Sequence, residues 1–347
     1  MRPPGACCPP RHDRSGREAR PSSAINATED EVLRRLARSG RDFVFQQPSS
    51  LARTLVLTLD GSTRVCSAAL LAASGPGATG VRVLAERADV DSRGQAKVLL
   101  RMVDDMMGET GHEPADLGAI VVGIGPGTFT GVRIAVATAR ALSLTLAIPV
   151  TGISTLSSLA VEAAAQAPAA GAVGESHAGP ALLVPVVDAR RGQLFFGVYR
   201  KQVGVDKWAR SAPFTVCDKD GLAGVLEAEE PQATEPRSGS SAPLPRALVA
   251  AEERELVGVL PPGVDFLQAP VRAERLVLGQ DKLREPGDGP DGARLAAWLA
   301  GALAGAAEAV PETVKPIYVR SPDADIHITK MKDPWADSPA PEGRGRR

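Results

Sequence analysis

The residues best placed to do chemistry lie in one short stretch, GIGPGTFTGVR, Gly123 to Arg133. Glycines allow positive φ and close backbone approach. Thr128 stands where a helix cap would, and the free N–H groups at a helix start can hold an anion. One reading is therefore a phosphate or carboxylate cradle built from Gly125, Gly127, Thr128, Gly131 and Arg133. The other is a tight strand-to-helix turn that merely packs. The stretch is not a Walker loop, because no Gly-Lys-Ser/Thr follows. It is also a poor dinucleotide fingerprint, because Pro126 interrupts it.

Two further turns could join such a cradle. LDGST offers Asp60, Ser62 and Thr63, and VDARRG offers Asp188 and Arg190. Paired strand–turn–strand units can clasp phosphates through backbone N–H groups, with an Asp near Mg²⁺. The first turn keeps that form. The second replaces small residues by Ala189, Arg190 and Arg191, which argues against efficient ATP hydrolysis. The plainer role for both aspartates is turn stabilisation. The arginine pair could meet phosphate or simply be an exposed turn charge.

Other chemistry finds no support. His12, His112, His177 and His327 are scattered, and His112-Glu113 is followed by Pro114, so no zinc helix forms. No nucleophile-elbow pentad surrounds any serine. Cys7, Cys8, Cys66 and Cys217 match neither a zinc site nor a disulfide framework, as a reducing cytoplasm would explain.

The elements that must position these residues follow from pattern. TLVLTL, VCSAALLAA and VRVLAERA read as three antiparallel strands with short turns. Val98, Leu99, Met102, Val103, Met106 and Met107 are spaced for a helix over about 92–108. AIVVGIG is a continuous apolar run, as in a strand covered on both faces. A helix over 129–146, a short strand VTGIS and a helix TLSSLAVEAAAQA complete the first half. LLVPVVDA, a turn at 190–192 and QLFFGVYR then repeat the opening theme, the mark of an internal duplication. The order βββαβαβα with a second partial copy predicts an α/β fold of two RNase H-like, actin-type subdomains, the second shortened. The expected boundaries are 53–168 and 181–328, with a disordered extension at 1–52, an insertion near 229–245 and a polar tail at 329–347.

Composition narrows the function. Net charge is −1 and aromatics are 3%, so an independent grip on nucleic acid lacks both its basic excess and its stacking platforms. No apolar run reaches the roughly 18–20 residues needed to span a bilayer. The helix over 129–146 is apolar on nearly every side, with Ala135, Ala137, Ala139 and Ala141 keeping it thin. One face must cover the sheet. The other either enters a subunit interface or lies under the Met-rich first helix, an adaptable surface.

LVLTLDGSTRVCSAALL, LGAIVVGIGPGTFTGVRIAVATARALSLTLAIPVTGISTLSSLA and VVDARRGQLFFGVYR resemble, in that order, the TsaB (YeaZ) family. The closing PIYVRSPDADI is similar to the family's C-terminal signature. The resemblance covers about residues 54–200 and 314–326. It implies a non-catalytic scaffold that binds the TsaD subunit, which transfers threonylcarbamoyl to the adenosine next to the anticodon of tRNAs reading codons that begin with A. It further implies docking of the TsaE ATPase, tRNA contact only through the complex, ATP or ADP near the junction with TsaD, and homodimers through the first two helices. Carried over, the partner surface comprises Leu99, Met102, Val103, Met106, Val132, Val136 and Ala139. Gly61 and Thr128 depart mildly from the family pattern. The competing expectation is an independent ATP-dependent small-molecule kinase of the same fold. A glycoprotease-like hydrolase is disfavoured by the missing ligands and nucleophile.

Overall fold

The computed structural model describes residues 55–74, 80–90, 95–167, 180–202, 204–229, 247–285 and 292–319. The expectations for 1–52, for the linker after 167, for nearly all of the insertion and for the tail lie outside these residues. Strands β1 (Leu55–Asp60), β2 (Val65–Ser74) and β3 (Gly80–Val90) form the meander. Helix α1 (Gln95–Thr110), β4 (Leu117–Gly123), α2 (Phe129–Leu146), β5 (Val150–Ile153) and α3 (Thr155–Gln166) follow. The sheet order is β3-β2-β1-β4-β5, with β1 antiparallel to β2 and parallel to β4. This is the RNase H-like arrangement the pattern predicts.

Every residue of β1 and β4 is buried, because this sheet is covered on both sides. Side chains alternate along a strand. Leu57 and Leu59 therefore meet α1 and α2 on one face, with Ile120 and Val122 beside them. Val56 and Val121 face the other way, onto Leu276, Leu295 and Leu299. The last two belong to a helix of the second half, introduced below. The second half thus roofs the first sheet, and the two halves share a core.

The second half holds β6 (Leu182–Arg190), β7 (Gln193–Phe196), β8 (Tyr199–Lys201), β9 (Trp208–Arg210), β10 (Thr215–Asp218), α4 (Gly221–Ala228), β11 (Ala247–Ala251), β12 (Val264–Gln268), β13 (Leu283–Arg284) and α5 (Gly292–Leu303). Strand β6 pairs antiparallel with β7 and parallel with β11, as β1 does with β2 and β4. The duplication is therefore real at the level of topology. QLFFGVYR is not one strand, as the sequence suggested. It splits at Gly197, with β7 on the end of β6 and β8 on its beginning. Pro185 sits between those two stretches of β6 and has no N–H for a continuous ladder.

Helix α2 is 18 residues long and apolar enough in composition to cross a membrane. The sequence reading had found no such run. Eight of its residues are buried in the chain's own core, including Val132, Ala135 and Leu142, so it is built as a core helix.

Candidate functional site

Asp60 ends β1 with no exposed surface. Its Oδ1 accepts from the backbone N–H of Ser62 at 2.8 Å and from the Ser62 hydroxyl at 2.5 Å. Thr155, at the start of α3, lies 2.7 Å from the Ser62 hydroxyl and donates weakly to Asp60 Oδ2 at 3.4 Å. Burial pushes the Asp60 carboxyl above the ordinary carboxylate range, and the Ser62 and Thr155 hydrogen bonds only partly offset it.

The Gly-rich loop closes onto this turn. A Cβ on Gly123 would lie 1.8 Å from Asp60 Oδ2, so only glycine lets the carboxylate rest there. A Cβ on Gly127 would lie 2.1 Å from the Ser62 carbonyl oxygen. That same oxygen accepts the Thr128 N–H at 2.6 Å. The carbonyl of Gly125, at φ 86°, accepts Thr155 N–H at 2.8 Å. The Thr128 N–H is thus already engaged by the neighbouring turn. Asp60, Ser62, Thr63, Gly125, Gly127, Thr128 and Gly131 do come together, but as a sealed joint. These contacts are those of the packing alternative.

One expectation at this loop needs correction. The Thr128 side chain makes no capping bond, and its hydroxyl is buried without a protein partner. The backbone amide, not the hydroxyl, is what the neighbouring turn engages. Arg133 is exposed and engages two aromatic residues rather than Asp60 or Ser62. Its guanidinium carbon lies 3.7 Å from the centre of the Phe129 ring, and its Nε donates to the Tyr318 hydroxyl at 3.0 Å.

The turn is tied to the second half as well. Thr63 donates to Glu252 Oε1 at 2.5 Å, and Arg64 pairs with Glu253 at 2.8 Å. Burial raises the Glu252 carboxyl, as does the nearby Asp60 charge, against the Thr63 hydrogen bond. Residues 314–319 return to the loop from the far end of the chain: Ile317 N–H donates to the Ile124 carbonyl at 2.7 Å. Thr155, Glu252 and Ile317 were not legible as site residues, because each meets the joint from far away in sequence.

The second turn is exposed. Asp188 Oδ1 accepts the Arg190 N–H at 2.8 Å, and Asp188 Oδ2 lies 3.3 Å from the Arg190 guanidinium. Arg190, Arg191 and Gly192 all have positive φ, at 66°, 56° and 78°. The aspartate stabilises its own turn. Among the described residues no group of His, Cys, Asp and Glu could hold a metal ion. The residues present do not fit a nucleotide–metal clasp.

The seven expected partner-surface residues are all interior. Leu99, Met102, Val103, Met106, Val132, Val136 and Ala139 lie in the core between α1, α2 and the sheet. Both helices pack on the same face of the sheet, so their apolar sides bury one another. What α2 offers outward is a different strip: Phe129, Arg133, Ala137, Ala141 and Leu144 are exposed, and Arg140 is half-buried. Leu144 is 64% exposed.

Comparison with known proteins finds relatives in sequence. Residues 83–233 match the family model described as "TsaD: tRNA N6-adenosine threonylcarbamoyltransferase". The chain is 30% identical over 178 residues to the tRNA threonylcarbamoyladenosine biosynthesis protein TsaB of Haemophilus influenzae, covering 50% of this chain and 67% of that protein. It is 32% identical over 103 residues to the TsaB protein of Bacillus subtilis, covering 30% of this chain and 39% of that protein. The match thus spans about two-fifths of the Bacillus relative. Among solved structures, YeaZ from Pseudomonas aeruginosa aligns at 25% identity with a TM-score of 0.48, over 76% of this chain and 99% of that one.

Proposed function

The chain belongs to the TsaB family, and on that premise we propose that it is the non-catalytic subunit that binds and activates a TsaD-type threonylcarbamoyltransferase. The product is threonylcarbamoyladenosine beside the anticodon of tRNAs reading codons that begin with A. The observation that carries the reading is the sealed joint. Ser62 and Thr128 are bonded to each other and the Asp60 carboxyl is fully buried, so this turn presents no accessible carboxylate to a metal ion.

Activation then works by contact. The outward strip of α2 is the surface offered to the partner: thin at Ala137 and Ala141, so that another helix can approach closely, with Leu144 as an apolar anchor. ATP or ADP, a TsaE-type ATPase and tRNA belong to the assembled complex, at or beyond the junction with the partner. A homodimer would use the same strip and compete.

Reconstitution tests this. The purified TsaD-type partner, the threonylcarbamoyl-adenylate donor and substrate tRNA are combined with and without the chain. Modification should depend on the chain. Phosphoryl transfer to a small acceptor by the chain alone would instead establish the kinase.

A further inference from the structure

Arg133 is held unusually firmly for a surface arginine. Its guanidinium stacks on Phe129 at 3.7 Å, lies 5.7 Å from the Tyr318 ring centre and spends its Nε on the Tyr318 hydroxyl. The two rings are 5.8 Å apart and tilted by 43°. Both remain about half exposed, at 45% and 48%. Among the described residues the terminal amines of Arg133 have no partner. The side chain is thus pre-ordered, with the four N–H groups of its two terminal amines left to read an anion in a fixed plane.

The setting selects the anion. Helix α2 carries Arg133 and Arg140 and no acidic residue, so its outer strip is apolar with a cationic surplus. The exposed side of α1 mixes both signs, in Lys97, Arg101, Asp105 and Glu109. Phosphate backbones favour a broad basic surface, whereas this chain has a net charge of −1 and the strip's centre is Ala137, Ala141 and Leu144. Such a strip complements a protein helix with an apolar stripe and a carboxylate at one end. Arginine and tyrosine are the side chains that most often anchor such contacts.

We infer that Arg133, braced by Phe129 and Tyr318, is the specificity anchor of the partner surface and takes a carboxylate on a helix of the catalytic subunit. The inference rests on the reading of α2 as that surface. Arg133 and Leu144 are about 16 Å apart along the helix at ~1.5 Å per residue, so the partner's carboxylate and its apolar contact should be similarly spaced. Because Tyr318 comes from the far end of the chain, the brace also requires residues 314–319 to be docked.

The test is the affinity of the full chain for the TsaD-type subunit, measured calorimetrically at low and high salt. Arg133→Gln should weaken association about tenfold or more and flatten its salt dependence. Arg133→Lys should recover only part, since an ammonium cannot fork. Leu144→Asp should abolish association. Unchanged binding by Arg133→Gln, with Leu144→Asp inactive, would overturn the anchor while sparing the surface. Unchanged binding by both would remove the surface too. An Arg133→Gln effect confined to self-association, or to tRNA retention by the chain alone, would also overturn the anchor, because the occupant would be a second copy or RNA. Arg133 is solvent-exposed, so unchanged melting of Arg133→Gln is expected and checks that the loss is one of recognition.

Discussion

Asp60 is a carboxyl kept where water cannot reach it, and that has a pH signature. Its folded value lies above the unfolded value of about 4. The native state therefore binds the proton more tightly, so the stability this group contributes is complete in acid and is lost as pH rises through the folded value. Glu252 is shifted in the same direction. Denaturant unfolding from about pH 4 upward should show stability falling as pH rises, and Asp60→Asn should flatten that slope. Gly127→Ala should cost about 1–3 kcal/mol, since its methyl would meet the Ser62 carbonyl and the joint would have to open. Thermal unfolding measures it. Asp60 and the glycines were legible in sequence because the turn and loop chemistry is local. Thr155 and Glu252 were not, since they lie 95 and 189 residues from the partners they bond. No spacing rule links residues that only the folded chain brings together.

At the scale of the element, α2 shows what an almost wholly apolar helix hides. Its sequence establishes that two sides are covered by something. It does not establish which side meets the sheet. The Met-rich face of α1 supplies the cover for Val132, Val136 and Ala139, so these became core. The outer strip was nonetheless written at 133, 137, 140 and 144, a helical i, i+4, i+7, i+11 series. Its two arginines are what mark it as outward. Two substitutions separate the faces. Val136→Asp places an unpaired charge in a dry core and should destabilise the fold by about 3 kcal/mol or more. Leu144→Asp sits in solvent and should leave the melting temperature nearly unchanged. Circular dichroism melts of the two variants decide whether the faces are assigned correctly.

Across the whole molecule, contacts at several places tie the two halves together. Leu276, Leu295 and Leu299 roof the first sheet, Thr63 and Arg64 reach Glu252 and Glu253, and Ile317 closes the loop at Ile124. The duplication was legible because the turn theme repeats. Strands β9, β10, β12 and β13 were not, being two to five residues long and largely half-exposed, with too little apolar periodicity to stand out. The most direct test is the initial rate of tRNA threonylcarbamoylation by the TsaD-type subunit, compared at equal concentrations of wild-type chain and folded Leu144→Asp chain. Wild type should stimulate the rate and Leu144→Asp should leave it at the level of the partner alone. Equal stimulation by both chains would contradict the account.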